Sequence, residues 1–262
     1  VDHRDLHLSL RRQRQMCIRD RLTNMNLEQL KKFRIRDHRE LPEQVYERMT
    51  RTNPYLKKVH DYPDLLLPHP TLDQIQQHWE PLRERAERVH VEIGCGSGGY
   101  LQAWASQHPQ DAFLGFELRF KRLTLAARKL AQAQLTNALL VKDRGELLGE
   151  YLPEKSLDIL HVNFPDPWPK KAHRKHRLFS REFLDRLLIF FQKGGEIRFK
   201  TDHQEYFQMV LELLQNHPNY KIGTLTEDLW NSPLNEENIP TEFERLFKSK
   251  GNFQVGFLTA HC

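Results

Sequence analysis

From Val89 onward, short apolar runs alternate with longer amphipathic stretches. The short runs are typical of buried strands, and the stretches between them have the spacing of helices that bury one face. This alternation is typical of βαβ units, in which helices connect the parallel strands of one sheet. The sequence therefore predicts an α/β domain over residues 89–262, with a mostly parallel sheet and helices on both faces.

The predicted elements follow one another without an internal repeat. Strands are predicted near 89–93, 112–117, 138–142, 157–163, 195–200, 220–225 and 253–259. Helices are predicted between them at about 98–107, 119–134, 144–151, 180–191 and 203–216.

Two further boundaries can be predicted from single residues. Thr71 is a suitable N-cap for a helix that reaches about Arg88, because apolar residues recur after it at helical spacing. Gly194 and Gly195 are predicted to end the helix that begins near residue 180.

Composition excludes several classes of protein. No run approaches the roughly 20 apolar residues of a membrane-spanning helix, and no apolar segment typical of a secretory signal follows the basic N-terminus. The three cysteines, Cys17, Cys95 and Cys262, are far apart, which argues against a disulfide framework and against a metal site. We therefore expect a cytoplasmic protein that is a monomer or a homodimer, with no membrane segment and no metal.

The N-terminal region divides into two parts. Val1–Asn24 contains a stretch that resembles translated sequencing-adapter read-through, so we expect either a non-native segment or a disordered basic arm that helps to bind nucleic acid. Without its six arginines and three aspartates, the formal charge falls from +5 to +2. Residues 25–88 are predicted to form a helical extension, followed by the 89–262 domain.

A glycine-rich loop follows the first predicted strand of the domain. Gly94, Gly96, Gly98 and Gly99 lie between this strand and a helix, where glycine lets the backbone turn tightly and approach a ligand. The spacing also satisfies the dinucleotide pattern G-x-G-x-x-G. The loop alone therefore leaves both S-adenosylmethionine (SAM) and NAD open.

Three carboxylates near this loop favour SAM. Glu92 lies inside the strand, where it would repel a pyrophosphate but suits a cationic sulfonium or ammonium group. Glu117 ends the next strand, where it can accept hydrogen bonds from ribose hydroxyls, and Asp143 ends the third, where it can meet an adenine amino group. Because open α/β sheets bind ligands at the carboxyl ends of their strands, the cofactor is predicted to be SAM.

A fourth carboxylate, Asp166, follows the strand at 157–163 and lies between Pro165 and Pro167. The prolines restrict the backbone and so hold the carboxylate in place. If the target base is a guanine, its N7 atom carries a free lone pair. Methylation of N7 would then need alignment and charge stabilisation but no general base. A carboxylate that accepts from the guanine N1–H and N2–H₂ groups meets both needs. Trp168 is predicted either to stack on a base or to cover the sheet edge.

The following run, Lys170–Arg177, consists of Lys, Arg and His at seven of its eight positions. A run of this kind is often only a solvated face, but this one adjoins the predicted active site and contains no acid. We therefore interpret it as a surface that binds phosphates. Two weaker basic clusters were also candidates to extend it, namely Arg119, Lys121 and Arg122, and Lys31, Lys32, Arg34, Arg36 and Arg39.

Five blocks together resemble the bacterial TrmB family of tRNA (guanine-N7)-methyltransferases. They are EIGCGSG at 92–98, GFEL at 115–118, NFPDPWPK at 163–170, KTD at 200–202 and TEFE at 241–244. The resemblance extends from about residue 89 to the C-terminus, and the PDPW and T-x-F-E blocks are specific to this family among methyltransferases.

The resemblance implies a class I SAM-dependent methyltransferase fold, Rossmann-like, with seven strands and the last one inserted antiparallel. It implies methylation of guanine 46 in the variable loop of tRNA, with Asp166 as the catalytic residue. It assigns cofactor contacts to Glu92, Gly94, Glu117, Asp143 and Asp166. It assigns tRNA contacts to Lys170, Asp202, Thr241, Glu242, Phe243 and Glu244. From the residues alone, Thr241 and Glu244 also predict a helix-start capping box.

The alternatives fit less well. Adenine-N6 methyltransferases carry an Asn/Asp-Pro-Pro-aromatic motif after the same strand, whereas here an acid separates the prolines. An NAD-dependent oxidoreductase would need a proton-relay residue near the crevice, and Glu92 is misplaced for it. Another SAM-dependent RNA base methyltransferase and a catalytically silent RNA-binding homologue remain as alternatives. The second would have no reason to keep the glycines and all four acids.

Overall fold

The computed structural model describes residues 43–51, 53–68, 70–248 and 254–262. Val1–Asn24 and the basic cluster at residues 31–39 lie outside the described residues. The chain divides into two compact units, Val1–Asp61 and Tyr62–Cys262. The second unit thus includes residues 62–88, and the predicted boundary between an extension and a domain at residue 88 stays a prediction.

The described part of the first unit contains two short helices, α1 (Glu43–Thr50) and α2 (Tyr55–Lys58). Leu56 and Val59 are its buried apolar residues in this range. Asn53 accepts a hydrogen bond from the Tyr55 backbone N–H and so fixes the turn that leads into α2.

The second unit is built on one sheet in the order β1-β4-β3-β2-β5-β6-β8-β7. The last strand, β8, is antiparallel to both of its neighbours, as the resemblance implied. The strands are β1 (Leu66–Leu67), β2 (Val89–Ile93), β3 (Ala112–Phe116), β4 (Ala138–Val141), β5 (Leu157–Asn163), β6 (Phe191–Thr201), β7 (Lys221–Thr226) and β8 (Gly256–His261).

The described sheet has eight strands, so the expected number of seven was wrong. The additional strand, β1, has two residues and pairs in parallel with the edge of β4. Such a short strand leaves no periodic pattern in the sequence, and only its pairing with β4 identifies it.

In the described residues of this unit, seven helices flank or precede the strands. They are α3 (Leu72–His78), α4 (Glu80–Glu84), α5 (Gly99–Gln107), α6 (Phe120–Gln132), α7 (Arg181–Phe190), α8 (Gln204–Gln215) and α9 (Glu242–Lys248). Short 3₁₀ helices lie at Gly145–Glu150, Lys171–His176, Leu229–Asn231 and Pro233–Asn235. The helix expected at 144–151 is therefore the first of these 3₁₀ helices.

The helix predicted from Thr71 to Arg88 is interrupted. Thr71 does cap its start, in a reciprocal capping box with Gln74. The helix ends at His78, however, and Pro81, which has no backbone N–H, lies in the first turn of the separate helix α4. Between the two helices Trp79 is fully buried in the main core.

The predicted role of Gly194 and Gly195 as a helix end was wrong. α7 ends at Phe190, and β6 begins at Phe191, which pairs with Leu157 of β5. The pairing register then shifts before it resumes at Glu196, with Gly194 at φ +83° in between. The two glycines therefore lie within an irregular strand start.

The two faces of the sheet differ in polarity. Side chains alternate along a strand, so Val91, Leu160 and Phe199 share one face with the apolar core, which also contains residues of α7 and α8. His90, Glu92 and His161 point to the opposite face, where Tyr100 of α5 bonds the His161 ring at 3.1 Å. A polar layer therefore lies beneath α5 in the middle of the sheet.

Two histidines form the centre of this polar layer. The rings of His90 and His161 are joined at 3.0 Å, and His90 also bonds the carboxylate of Asp111 at 3.1 Å. Burial lowers the pKa of His90 to about 4, although Asp111 opposes the shift, and burial also lowers the pKa of His161. Both rings are therefore neutral at physiological pH.

Candidate active site

The glycine loop between β2 and α5 has a conformation that glycine adopts most readily. Gly94, Gly96 and Gly98 have φ values of +78°, +57° and +76°. A Cβ atom on Gly98 would lie 2.6 Å from the Cβ of Ala126 in α6. The loop therefore packs closely against α6 at the carboxyl edge of the sheet.

Glu117, at the end of β3, is held by backbone amides. Its Oε2 accepts from the Gly96 N–H at 3.1 Å, and its Oε1 accepts from the N–H groups of Leu118 and Arg119 at 2.7 and 2.8 Å. These three bonds fix the carboxylate beside the glycine loop. The third acid, Asp143, is fixed in the same way by the Arg144 N–H at 2.8 Å and the Tyr151 hydroxyl at 2.9 Å.

Glu92 differs from these two because it is only half satisfied. Its side chain is 4% exposed, and Oε1 accepts from the Asn163 side-chain amide at 3.0 Å. Among the described residues, Oε2 has no hydrogen-bond partner. Burial raises the pKa of Glu92 to about 7, against the opposing effects of Asn163 and Lys200. A buried carboxylate with a free oxygen is suited to a cationic ligand. The predicted cofactor, SAM, is such a ligand because it carries a sulfonium and an ammonium group.

The segment that carries Asp166 has a strained backbone. Phe164 and Trp168, on either side of the Pro165-Asp166-Pro167 tripeptide, have φ values of +50° and +42°. Such conformations cost on the order of 1–3 kcal/mol each and persist where the surroundings hold them. Asp166 itself is exposed. The segment is therefore built to present one carboxylate at the end of β5.

The basic run after this segment is only partly available for binding. Residues 170–176 are exposed, and most of them form a 3₁₀ helix beside the Trp168 ring. Arg174 pairs with Glu205 at 2.8 Å. Arg177 is 6% exposed and bonded within the protein, so its interpretation as a phosphate contact was wrong. Lys170, Lys171 and Lys175 remain exposed cations near Asp166.

Thr241 and Glu244 form the capping box that their spacing predicted. The Glu244 carboxylate accepts from the Thr241 N–H at 2.7 Å, and the Thr241 hydroxyl accepts from the Glu244 N–H at 3.1 Å. Glu244 is 1% exposed, and its carboxylate also accepts a hydrogen bond from the side-chain ammonium of Lys200 at 3.4 Å. It borders a cavity of about 230 Å³, lined by Trp230, Asn235, Asn238, Pro240, Glu244, Arg245 and Lys248.

The other two residues of this block connect it to both parts of the site. Glu242 accepts from the Ser97 hydroxyl of the glycine loop at 3.0 Å and pairs with Lys129 of α6. The ring of Phe243 packs on that of Phe164 at 4.7 Å between centroids. Residues 241–244 therefore contact the glycine loop on one side and the Asp166 segment on the other. Asp202 is exposed directly after β6.

Three polar residues of the site have roles that the sequence did not predict, although Asn163 and Lys200 lie in two of the matching blocks. Asn163 holds Glu92, Tyr151 holds Asp143, and Lys200 is buried against Glu244. Burial lowers the pKa of Lys200 to about 8, against the attraction of Glu244. Lys200 alternates along β6 with Arg198 and Glu196, and Asn163 alternates along β5 with His161; this alternation is the signal that would have identified them.

None of the helices described here is long and apolar enough to cross a membrane. Within the described ranges, no three His, Cys, Asp or Glu side chains are grouped so that they could hold a metal ion.

Comparison of the sequence with known proteins gives consistent matches. Residues 86–255 match a family model described as "Putative methyltransferase". A tRNA (guanine-N(7)-)-methyltransferase from Enterococcus faecalis is 35% identical over 72% of this chain and 87% of its own length. One from Mycoplasma pneumoniae is 39% identical over 63% of this chain and 80% of its own length.

A third relative is longer than this chain. The bifunctional glycosyltransferase/methyltransferase of Fusobacterium nucleatum is 36% identical over 79% of this chain, and the chain spans only 32% of that protein.

Solved structures agree on the fold alone. An antibiotic-related methyltransferase gives a TM-score of 0.55 at 16% identity, covering 74% of this chain and 95% of that one. The 16S rRNA methyltransferase KamB gives 0.52 at 18% identity, with 71% and 92% covered.

Proposed function

The chain belongs to the family of tRNA (guanine-N7)-methyltransferases, and we propose that it methylates guanine 46 in the variable loop of tRNA, with Asp166 as the catalytic residue. Methyl transfer to guanine N7 of tRNA is the activity of the family, and SAM is the methyl donor. The position of the guanine and the roles of individual residues are the proposal. The positions of the four acids, at or after the carboxyl ends of the neighbouring strands β2, β3, β4 and β5, support it.

We assign the cofactor contacts to the carboxyl ends of β2, β3 and β4. The glycine loop with Gly94 would hold the methionine part of SAM, and Glu92 would face its positive charge. Glu117 would bind the ribose hydroxyls, and Asp143 would bind the adenine amino group. The unpartnered Oε2 of Glu92 and the fixed positions of the other two carboxylates support this assignment. When bound, SAM supplies an electrophilic methyl group on a sulfonium.

The chemistry at guanine needs little from the protein beyond placement. With SAM bound, the N7 lone pair would form the new bond to the methyl carbon as the carbon–sulfur bond breaks, and no proton would have to leave N7. The purine becomes cationic as this happens. Asp166 accepts from the N1–H and N2–H₂ groups, so that it both orients the base and stabilises the developing charge.

The proposed substrate contacts surround Asp166. Lys170 and its exposed neighbours bind phosphates beside the base, and Asp202 contacts the tRNA from the end of β6. Thr241, Glu242, Phe243 and Glu244 shape the opposite wall, because their contacts join the glycine loop to the Asp166 segment. We also propose that the enzyme acts in the cytoplasm, where tRNA is found, as a monomer or a homodimer.

Methyl transfer from labelled SAM tests the position. Unmodified tRNA transcripts with guanine 46 should yield labelled 7-methylguanosine, and transcripts with adenine 46 should yield none. Label in another nucleoside would contradict the assigned atom, and 7-methylguanosine from the adenine 46 transcript would contradict the assigned position.

Alanine at Lys170, Lys171 and Lys175 together is expected to weaken tRNA binding and to flatten its salt dependence. Each lost phosphate contact should lower the slope of log K against log salt concentration by roughly 0.7–0.9. Filter binding of tRNA between about 50 and 200 mM salt measures this slope. Turnover at saturating tRNA should change less than affinity, because these side chains are placed on phosphates and not on the reacting base.

The matched control removes three exposed lysines from the opposite edge of the sheet. Lys155 lies just before β5, Lys193 is the third residue of β6, and Lys221 is the first residue of β7. Their replacement changes the net charge by the same amount but should leave the salt slope intact. Equal slopes for the two triple variants would show that the basic run acts only through total charge.

A further inference from the structure

We infer that Arg177 is a positioning residue that holds the Asp166 segment in its reactive shape by binding the carbonyl oxygen of Pro167. This inference rests on the proposed role of Asp166. It separates Arg177 from the exposed residues of the basic run, with which the sequence groups it.

The surroundings of Arg177 differ from those of a phosphate-binding side chain. Its Nε donates to the Pro167 carbonyl at 2.7 Å, and its guanidinium lies over the ring of Tyr206 at 4.9 Å. The terminal nitrogens contact Glu205 Oε1 and Met209 Sδ, each at 3.2 Å. With 6% of its surface exposed, the side chain is directed into the protein by α8.

The bond to Pro167 holds the Asp166 segment at a point where the proline backbone cannot donate a hydrogen bond. Pro165 and Pro167 have no N–H group and cannot donate, so the segment depends on its carbonyls and its ends. The Phe164 N–H fixes the first end by donating to the Lys200 carbonyl at 2.8 Å. Arg177 fixes the second end, next to Asp166 and to the strained Trp168.

The geometry requires a guanidinium and not merely a positive charge. One planar group lies over the Tyr206 ring while its three nitrogens bond Pro167, Glu205 and Met209. A lysine ammonium carries the same charge but cannot stack as a plane or span these acceptors. A phosphate contact, by contrast, largely tolerates lysine. Arg177→Lys therefore distinguishes positioning from RNA binding.

The experiment compares Arg177→Lys with the wild type in turnover, tRNA affinity and thermal melting. We expect kcat to fall roughly 10- to 100-fold, as for a displaced reacting group, while the Kd for tRNA and its salt slope stay within about threefold. Lys175→Ala, in the exposed part of the run, should instead raise KM and Kd for tRNA. A weaker Kd with unchanged kcat, or no change in either constant, overturns the inference.

Two further variants keep the outcome decisive. If melting shows that Arg177→Lys does not fold, Glu205→Ala removes one partner of Arg177 from a half-exposed position. It should lower kcat about threefold without weakening tRNA binding, and an unchanged kcat overturns the inference. Asp166→Ala is assayed in parallel. Full turnover by that variant would refute the proposed role of Asp166, whatever Arg177→Lys shows.

Discussion

Asp166→Ala is expected to lower kcat by about 10²- to 10³-fold, the usual cost of losing a preorganised group that stabilises charge in the transition state. The carboxylate is proposed to hold the guanine edge and to offset the positive charge that forms on the purine. Because phosphate contacts supply most of the affinity for nucleic acid, the Kd for tRNA should change by less than about threefold. Single-turnover methyl transfer at saturating SAM and tRNA, together with filter binding, separates the two constants.

Two variants control this result. Asp166→Asn keeps the size of the side chain but loses its charge and an acceptor, so it should retain little more activity than alanine. Glu154→Ala removes an exposed acid just before β5, at the opposite edge of the sheet, and should leave kcat unchanged. An Asp166→Ala variant with wild-type kcat would place the catalytic carboxylate elsewhere.

The parts of the fold that the sequence predicts are those with strong local patterns. The strands near 89–93 and 157–163 match β2 and β5, and the glycine loop and α5 follow β2 as expected. The pattern failed where structure depends on distant pairing. β1 has two residues and exists through its contact with β4, and Phe191 joins β6 because Leu157 lies beside it.

The site shows the same division. Glu92, Glu117 and Asp143 could be located because the carboxyl ends of parallel strands share one edge. Their partners could not all be predicted. Asn163 meets Glu92 across 71 residues, and Glu242 meets Ser97 across 145. From the sequence, residues 170–177 were predicted to form one basic surface. The burial of Arg177 could not be predicted from these residues, because the ring that covers it belongs to Tyr206 in a later helix.

Glu92→Gln is expected to weaken SAM binding on the order of 100-fold at pH 8, because it removes a buried charge opposite a cationic ligand. In the wild type, burial raises the pKa of Glu92 from 4.5 to about 7, so the carboxylate is largely protonated in mildly acidic solution without SAM. A cation favours the charged form. SAM affinity should therefore fall up to about tenfold per pH unit below pH 7 in the wild type and less in Glu92→Gln, as isothermal titration will show.

The same substitution should stabilise the protein without its cofactor. Between about pH 4.5 and pH 7 the native protein keeps a proton that the unfolded chain has lost, so Glu92 destabilises the fold as the pH rises. Above pH 7 this cost is on the order of 3 kcal/mol, and glutamine removes it while it can still accept from Asn163. Urea unfolding at several pH values measures the difference in the free energy of unfolding between the variant and the wild type. The contributions of His90 and His161 cancel in this difference.

Glu196→Gln is the control for both effects, since Glu196 lies partly buried on the same face of the sheet and pairs with Arg198 at 2.9 Å, away from the glycine loop. It should leave the pH dependence of SAM affinity unchanged and give no stability gain that grows between pH 5 and pH 8. If Glu92→Gln binds SAM as tightly as the wild type at pH 8, the unpartnered oxygen of Glu92 does not face the cofactor. If it binds weakly but is no more stable, Glu92 is charged at neutral pH before SAM arrives, and the loss comes from the ligand contact alone.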